Sequence, residues 1–228
     1  MKFFSPVLAI ALIALASGAP PASAQSGVTE RVSVDSNGVE ADSVSELAAV
    51  SADGRFVAFA SLASNLVPDD TNNASDVFVH DRRTGTTERV SVDSRGRQGD
   101  RDSGFVGVSG NPAISADGRF VAFPSDATNL VRGDTNGTTD VFVRDRLTGA
   151  TERVSVSSGG GQSDGFSDGP AISADGRFVA FQSSAMNLVP DDTSFATDIF
   201  VRDRLVGTTE AREPHQHRRG SQQRQLLS

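Results

Sequence analysis

The ten residues I-S-A-D-G-R-F-V-A-F occupy Ile114–Phe123 and recur letter for letter at Ile172–Phe181, and Val50–Phe59 differs only in its first residue. A chain carrying three copies of one short core signature is assembled from copies of one supersecondary unit, each leaving a face that a neighbour must cover. The turn glycines Gly54, Gly118 and Gly176 are 64 and 58 residues apart. A second signature, T-E-R-V-S-V, begins at Thr29, Thr87 and Thr151 with the same two spacings in reverse order. Two markers on one approximate period define a tandem array whose length variation is confined to one connecting loop.

Each copy parses into four short strands. The first is Ala48–Ser51, Pro112–Ser115 or Pro170–Ser173. An Asp-Gly pair follows (Asp53-Gly54, Asp117-Gly118, Asp175-Gly176), which predicts a type I′ hairpin turn with positive φ at both positions. The second strand, R-F-V-A-F, is nearly all apolar and suits a strand covered on both faces. The third is Asp76–Asp81, Asp140–Asp145 or Asp198–Asp203. The fourth is T-E-R-V-S-V, whose polar–apolar alternation fits a half-exposed strand. No segment after the first 24 residues shows helical periodicity, so the expected class is all-β.

Four antiparallel strands repeated in tandem are the sequence sign of a β-propeller blade. S-A-D-G-R-F-V-A-F followed by D-V-F-V-R-D closely resembles the WD40-like propeller repeat of the TolB type, over Val28 to about Thr209. Alanine stands where that family commonly has proline before the Asp-Gly, and the second loop is longer. The resemblance implies tandem four-stranded blades at about 44–93, 104–158 and 170–210, the last lacking its fourth strand, with an orphan fourth strand at Val28–Asp35. Closed propellers have about 4–8 blades, so three make an incomplete ring. The long second-to-third loops (Leu62–Ser75, Asp126–Thr139, Ser184–Thr197) and the connections between blades fall at one end. Elaborated loops on a rigid scaffold are where recognition is expected.

The two termini stand apart from the array. Lys2, the apolar run Val7–Ala16 and the Ala22-Ser23-Ala24 ending read as a secretory signal over residues 1–24, cleaved after Ala24. The run is shorter than the ~20 residues that span a bilayer, so no membrane span is expected after cleavage, and the product is expected in the medium or a periplasm. Residues 211–228 break the pattern where R-V-S-V is due and are expected to form a polar tail without fold. Removing one base after the Glu210 codon of a permitted back-translation restores E-R-V-S, so a frameshift near Ala211 is expected to have truncated a longer propeller.

Composition narrows the function. There is no cysteine, hence no disulfide, thiolate metal site or thiol nucleophile. Residues 25–210 hold 16 basic and 28 acidic side chains, a net of −12, which repels phosphate backbones and argues against nucleic acid. Gly165–Gly169 spells G-F-S-D-G, but it leads into a strand, and the only histidines are His80, His215 and His217. A nucleophile elbow needs a strand-to-helix turn and a histidine base, so no catalytic residue is assigned. Asp70, Asn72 and Asp76, then Asp134, Asn136 and Asp140, then Asp192, Ser194 and Asp198 offer hard oxygens at the alternating spacing that calcium uses. Asp and Asn also cap turns with their own side chains, so calcium stands beside a purely structural role. The Arg144-Asp145-Arg146 and Arg202-Asp203-Arg204 runs read as surface cross-strand pairs. The expected protein is an exported, non-catalytic, cofactor-free module that binds a protein or cell-envelope component through its loop-rich face. The alternatives are the propeller part of a prolyl-oligopeptidase-like hydrolase and a calcium-binding surface repeat.

Overall fold

A computed structural model describes residues 29–104, 110–190, 192–193 and 196–211. The expected signal at 1–24 and nearly all of the tail lie outside the described residues. The chain divides into Met1–Glu30 and Arg31–Ser228, and every strand among the described residues lies in the second unit. That unit holds three four-stranded antiparallel sheets, each in simple sequence order. The first is β1 (Ser45–Val50), β2 (Phe56–Ser61), β3 (Asp76–Asp81) and β4 (Thr86–Arg89). The second is β5 (Ala113–Ile114), β6 (Phe120–Ser125), β7 (Asp140–Asp145) and β8 (Ala150–Arg153). The third is β9 (Ser167–Ile172), β10 (Phe178–Ser183), β11 (Asp198–Asp203) and β12 (Thr208–Ala211).

The alternation inside R-F-V-A-F decides how the sheets stack. Strand residues point to opposite faces in turn, so Ala58 pairs with Val79 on one face, and Phe59 pairs with Phe78 on the other. The small-residue face of the first sheet (Ala58, Val77, Val79) packs on the phenylalanine face of the second (Val121, Phe123, Phe142). The second repeats this on the third, with Ala122, Val141 and Val143 against Val179, Phe181 and Phe200. Each phenylalanine pair is stacked at about 6 Å, as in Phe123–Phe142 at 6.1 Å. Burial of each such ring is worth roughly 1.5–3 kcal/mol.

The hairpin turn departs from expectation. Gly54 has φ of 71° while Asp53 keeps a negative φ, and the Gly54 amide donates to the Ser51 carbonyl at 2.9 Å. This is a type I turn closed by a left-handed glycine, the alternative hairpin geometry. The side chains select it: Asp53 accepts from the Ser51 hydroxyl (2.6 Å) and the Arg55 amide (3.0 Å), and Ser51 Oγ accepts from the Phe56 amide (2.9 Å). Ser115, Asp117 and Arg119 repeat the arrangement, as do Ser173, Asp175 and Arg177.

Two further expectations are corrected. The third sheet does possess its fourth strand, because Thr208–Ala211 pairs with β11, and the strand includes Ala211, the first residue of the expected foldless tail. Of the expected orphan strand Val28–Asp35, Val28 lies outside the described residues and Val34 forms only an isolated bridge to Glu40. The Val34 carbonyl instead accepts from Thr87 Oγ1 at 2.5 Å. Val92 and Val156 serve Thr151 and Thr209 in the same way, so this segment occupies the place of an outer-strand continuation from a preceding unit.

Candidate functional site on the loop-rich end

The second-to-third loops and the inter-sheet connections are sewn together by side-chain amides. Asn72 Nδ2 donates to the Gly99 carbonyl (3.0 Å), and Asn129 Nδ2 donates to the Gln98 carbonyl (2.9 Å), so the connection after the first sheet is held by two successive loops. Asp100 accepts from the amide and hydroxyl of Thr128, both at 2.8 Å.

Beneath these contacts lie the acidic sets singled out in the sequence. Asp76 is fully buried and accepts from the Ser91 hydroxyl, Asn72 Nδ2 (3.1 Å) and Arg89 Nη1 (3.2 Å), and Asp70 pairs with the same guanidinium at 3.1 Å. Asp140 has the same surroundings in Ser155, Asn136 and Arg153, and Asp134 pairs with Arg153 at 3.2 Å. In both loops an arginine occupies the space between the carboxylates. Burial pushes the Asp70, Asp76 and Asp134 carboxyls above the ordinary range, and the arginine opposes that push at Asp70, Asp76 and Asp134 alike. Ala211 stands at the arginine position of the third unit, where Asp198 is half-buried and Asp192 belongs to the loop, while Ser194 lies outside the described residues. Among the described residues, no group of three or more His, Cys, Asp or Glu side chains is placed to hold a metal ion. The alternating oxygens expected to suit calcium thus serve, in two of three copies, as acceptors for a buried guanidinium.

The arginine–aspartate runs are not simple surface pairs. Asp81, Asp145 and Asp203 are buried and take Arg55, Arg119 and Arg177 from the opposite turn; Asp145 receives Arg119 Nε at 2.9 Å and Nη2 at 2.7 Å. These bonds hold all three carboxyls below the ordinary range, Asp81 and Asp145 well below it. Arg144 Nη1 donates to the carbonyls of Asp93 and Gly149. His80, at the same position, meets Thr87 Oγ1 at 2.8 Å. Ser167 of G-F-S-D-G is fully buried at the start of β9, bonded to Ser183 Oγ at 2.9 Å. Ser103 with Ser125 and Ser45 with Ser61 are its counterparts, which makes it a repeat hydroxyl pair rather than an exposed nucleophile elbow.

Where the copies differ, a groove opens that the sequence reading missed. Asp93, Ser94, Arg95, Arg97, Asn129 and Arg132 are among the residues lining a cavity of about 480 Å³ between the 93–98 turn and the second long loop. Arg95 replaces Asn37 and Gly159 of the other copies, Arg97 replaces Val39 and Gly161, and Arg132 replaces Pro68 and Pro190. Arg97 is tied to Asp93 through Nε at 2.7 Å; against the upward push of burial, the Arg97 amide and guanidinium hold that carboxyl low. Arg95 and Arg132 are exposed. Lining up the copies and reading the residues that break the pattern would have found all three.

Simple strand order within each sheet and face-to-face stacking of consecutive sheets define a propeller-type blade array, incomplete at three blades. No protein-family model matches the sequence, and no curated protein matches it. Among solved structures the chain is similar to a TolB candidate from Agrobacterium tumefaciens, with 16% identity, a TM-score of 0.44, and 71% of this chain and 43% of that one covered. It is also similar to the β-propeller domain of the Trilobed protease from Pyrococcus furiosus (10% identity, TM-score 0.45, 75% of this chain and 43% of that one). A prolyl endopeptidase structure matches with 17% identity, a TM-score of 0.45, and 74% and 22% coverage. The chain therefore spans less than half the length of each.

Proposed function

We propose that this chain is an exported, non-catalytic binding module that takes an acidic segment of a protein or cell-envelope partner in the groove of Arg95, Arg97 and Arg132. The observation that carries this reading is the placement of three arginines, absent from the sister copies, around one cavity of a body that is otherwise strongly acidic. Guanidinium groups pair with carboxylates through two parallel hydrogen bonds, and exposed positive charge within a negative surface steers acidic partners while turning other surfaces away. Support for export comes from the leader pattern of residues 1–24.

The test is fluorescence anisotropy of the full chain with a labelled glutamate-rich peptide, against a lysine-rich peptide of equal length. Arg132→Pro combined with Arg95→Asn restores residues that the other copies already carry, so the fold is kept. Binding of the acidic peptide alone, weakened about tenfold or more by this double change and by added salt, is the expected result. Equal affinity of the two proteins, or no binding to either peptide, removes the groove from the account. N-terminal sequencing of protein recovered outside the cytoplasm should begin at Gln25; a retained leader would remove export.

A further inference from the structure

The two inter-sheet joints are built from the same three parts, and the third sheet carries one half of each. At the first joint the Ala52 amide donates to the Ala116 carbonyl (3.0 Å), Gly118 abuts the Phe56 ring, and Arg146 lies over that ring at 4.4 Å while pairing with Glu88 at 2.6 Å. At the second joint Ala116 donates to Ala174 (3.0 Å), Gly176 abuts Phe120, and Arg204 lies over Phe120 at 4.5 Å while pairing with Glu152 at 2.6 Å. On the third sheet, Phe178 is 41% exposed and Ile199 49%, although Val77 and Val141 at the latter position are fully buried. Phe178, Val201, Asp203, Thr208 and Glu210 line an open cavity of about 300 Å³. Among the described residues, the Glu210 carboxylate has no cationic partner and the Ala174 amide has no acceptor.

We propose that this face docks a further four-stranded unit of the same repeat pattern. The unit supplies a turn carbonyl to the Ala174 amide, a turn glycine against Phe178, and an arginine that covers Phe178 and pairs with Glu210. The two existing joints name this occupant: in each a glycine of the next unit faces the ring, and an arginine of that unit covers the ring and pairs with the neighbouring glutamate. A second copy docking through its own first sheet fits less well, because the phenylalanine face it would present (Phe59 and Phe78) is already buried.

The test extends the chain by the occupant itself. Residues 154–211 are duplicated directly after Ala211, one 58-residue period, and the product is compared with the natural full chain. In the extended protein the melting temperature rises, Glu210→Gln lowers it about as far as Glu152→Gln does, and exchange of the Ala174 amide slows by at least about 100-fold. In the natural chain Glu210→Gln changes nothing. An appended unit that stays protease-sensitive, or an equal effect of Glu210→Gln in both proteins, overturns the proposal. Sedimentation of the natural chain supplies a second measurement, independent of the extension. A monomer is expected; a dimer that Ile199→Asp dissolves would assign the face to a second copy and overturn the proposal as well.

Discussion

Gly118→Ala isolates the contact between consecutive sheets from the cost of the turn that carries it. Gly118 sits at φ of 74°, and a Cβ there would stand 2.1 Å from Phe56 Cδ2 and 2.6 Å from Cγ. A left-handed conformation costs an L-residue about 1–2 kcal/mol. Moving the ring is an overpacking event worth a further 1–3 kcal/mol or so, because Phe56 is pinned between Arg55 and Arg146, each 4.4 Å from its centroid. Gly85→Ala supplies the comparison: Gly85 has the same φ of 74°, yet nothing lies within 4 Å of its Cβ position. The difference between the two variants is therefore the steric term alone, about 1–3 kcal/mol. At about 2–4 °C per kcal/mol for a domain of this size, Gly118→Ala should melt about 2–12 °C below Gly85→Ala. Urea unfolding followed by far-UV circular dichroism reads the same difference directly. Equal destabilisation by the two changes would show that the glycine meets only its own turn, and the stacking of turn on ring would be wrong.

Two further outcomes follow from the buried ion pairs. Asp81, Asp145 and Asp203 have carboxyls lowered in the folded state, so their contribution is complete above the unfolded value of about 4 and is lost as pH falls below it; Arg119→Gln should flatten this acid dependence in melts between pH 5 and pH 2, and an unchanged slope would refute it. Arg153→Ala leaves Asp134 and the fully buried Asp140 without their cation. Breaking a buried pair from one side costs about 3–5 kcal/mol, and a loss below about 1 kcal/mol in urea unfolding would mean the guanidinium is dispensable.

The sheets were legible because R-F-V-A-F and D-V-F-V-R-D state both the strand and its two faces. Alternation of alanine and phenylalanine is a direct record of which face receives a ring and which offers room. The turn type was not legible from Asp-Gly alone, since the dipeptide suits two hairpin geometries. Its flanking Ser51 and Arg55 decide between them by fixing the Asp53 carboxylate, which favours the right-handed conformation at that residue. The fourth strand ends at Arg89 rather than Val92, because Ser91 leaves the ladder to bond Asp76 and the Val77 amide. Polar–apolar alternation cannot show that a serine will turn inward to a buried carboxylate. The acidic loops display their oxygens in the sequence but not their cation, which lies 13 residues beyond Asp76 and Asp140 at Arg89 and Arg153. That partner belongs to a different strand, so only three-dimensional pairing reveals it.

Identity between copies and difference between copies carry separate information in this chain. The invariant letters are joint parts: serine and aspartate shape the turn, glycine admits the neighbouring ring, and arginine closes over it. The serine–aspartate contacts recur in all three turns and the glycine–ring and arginine–ring contacts at both joints, which is sufficient reason for their sameness without any ligand. Arg95 and Arg132 have no such duty, since asparagine, glycine and proline fill the same places in sister units, and Arg97 pairs only within its own turn, with Asp93. Three cations that neither inter-sheet joint uses, gathered beside one cavity, are the positions placed to answer to a partner. A search for function in a repeat protein of this kind therefore begins where the repeat fails.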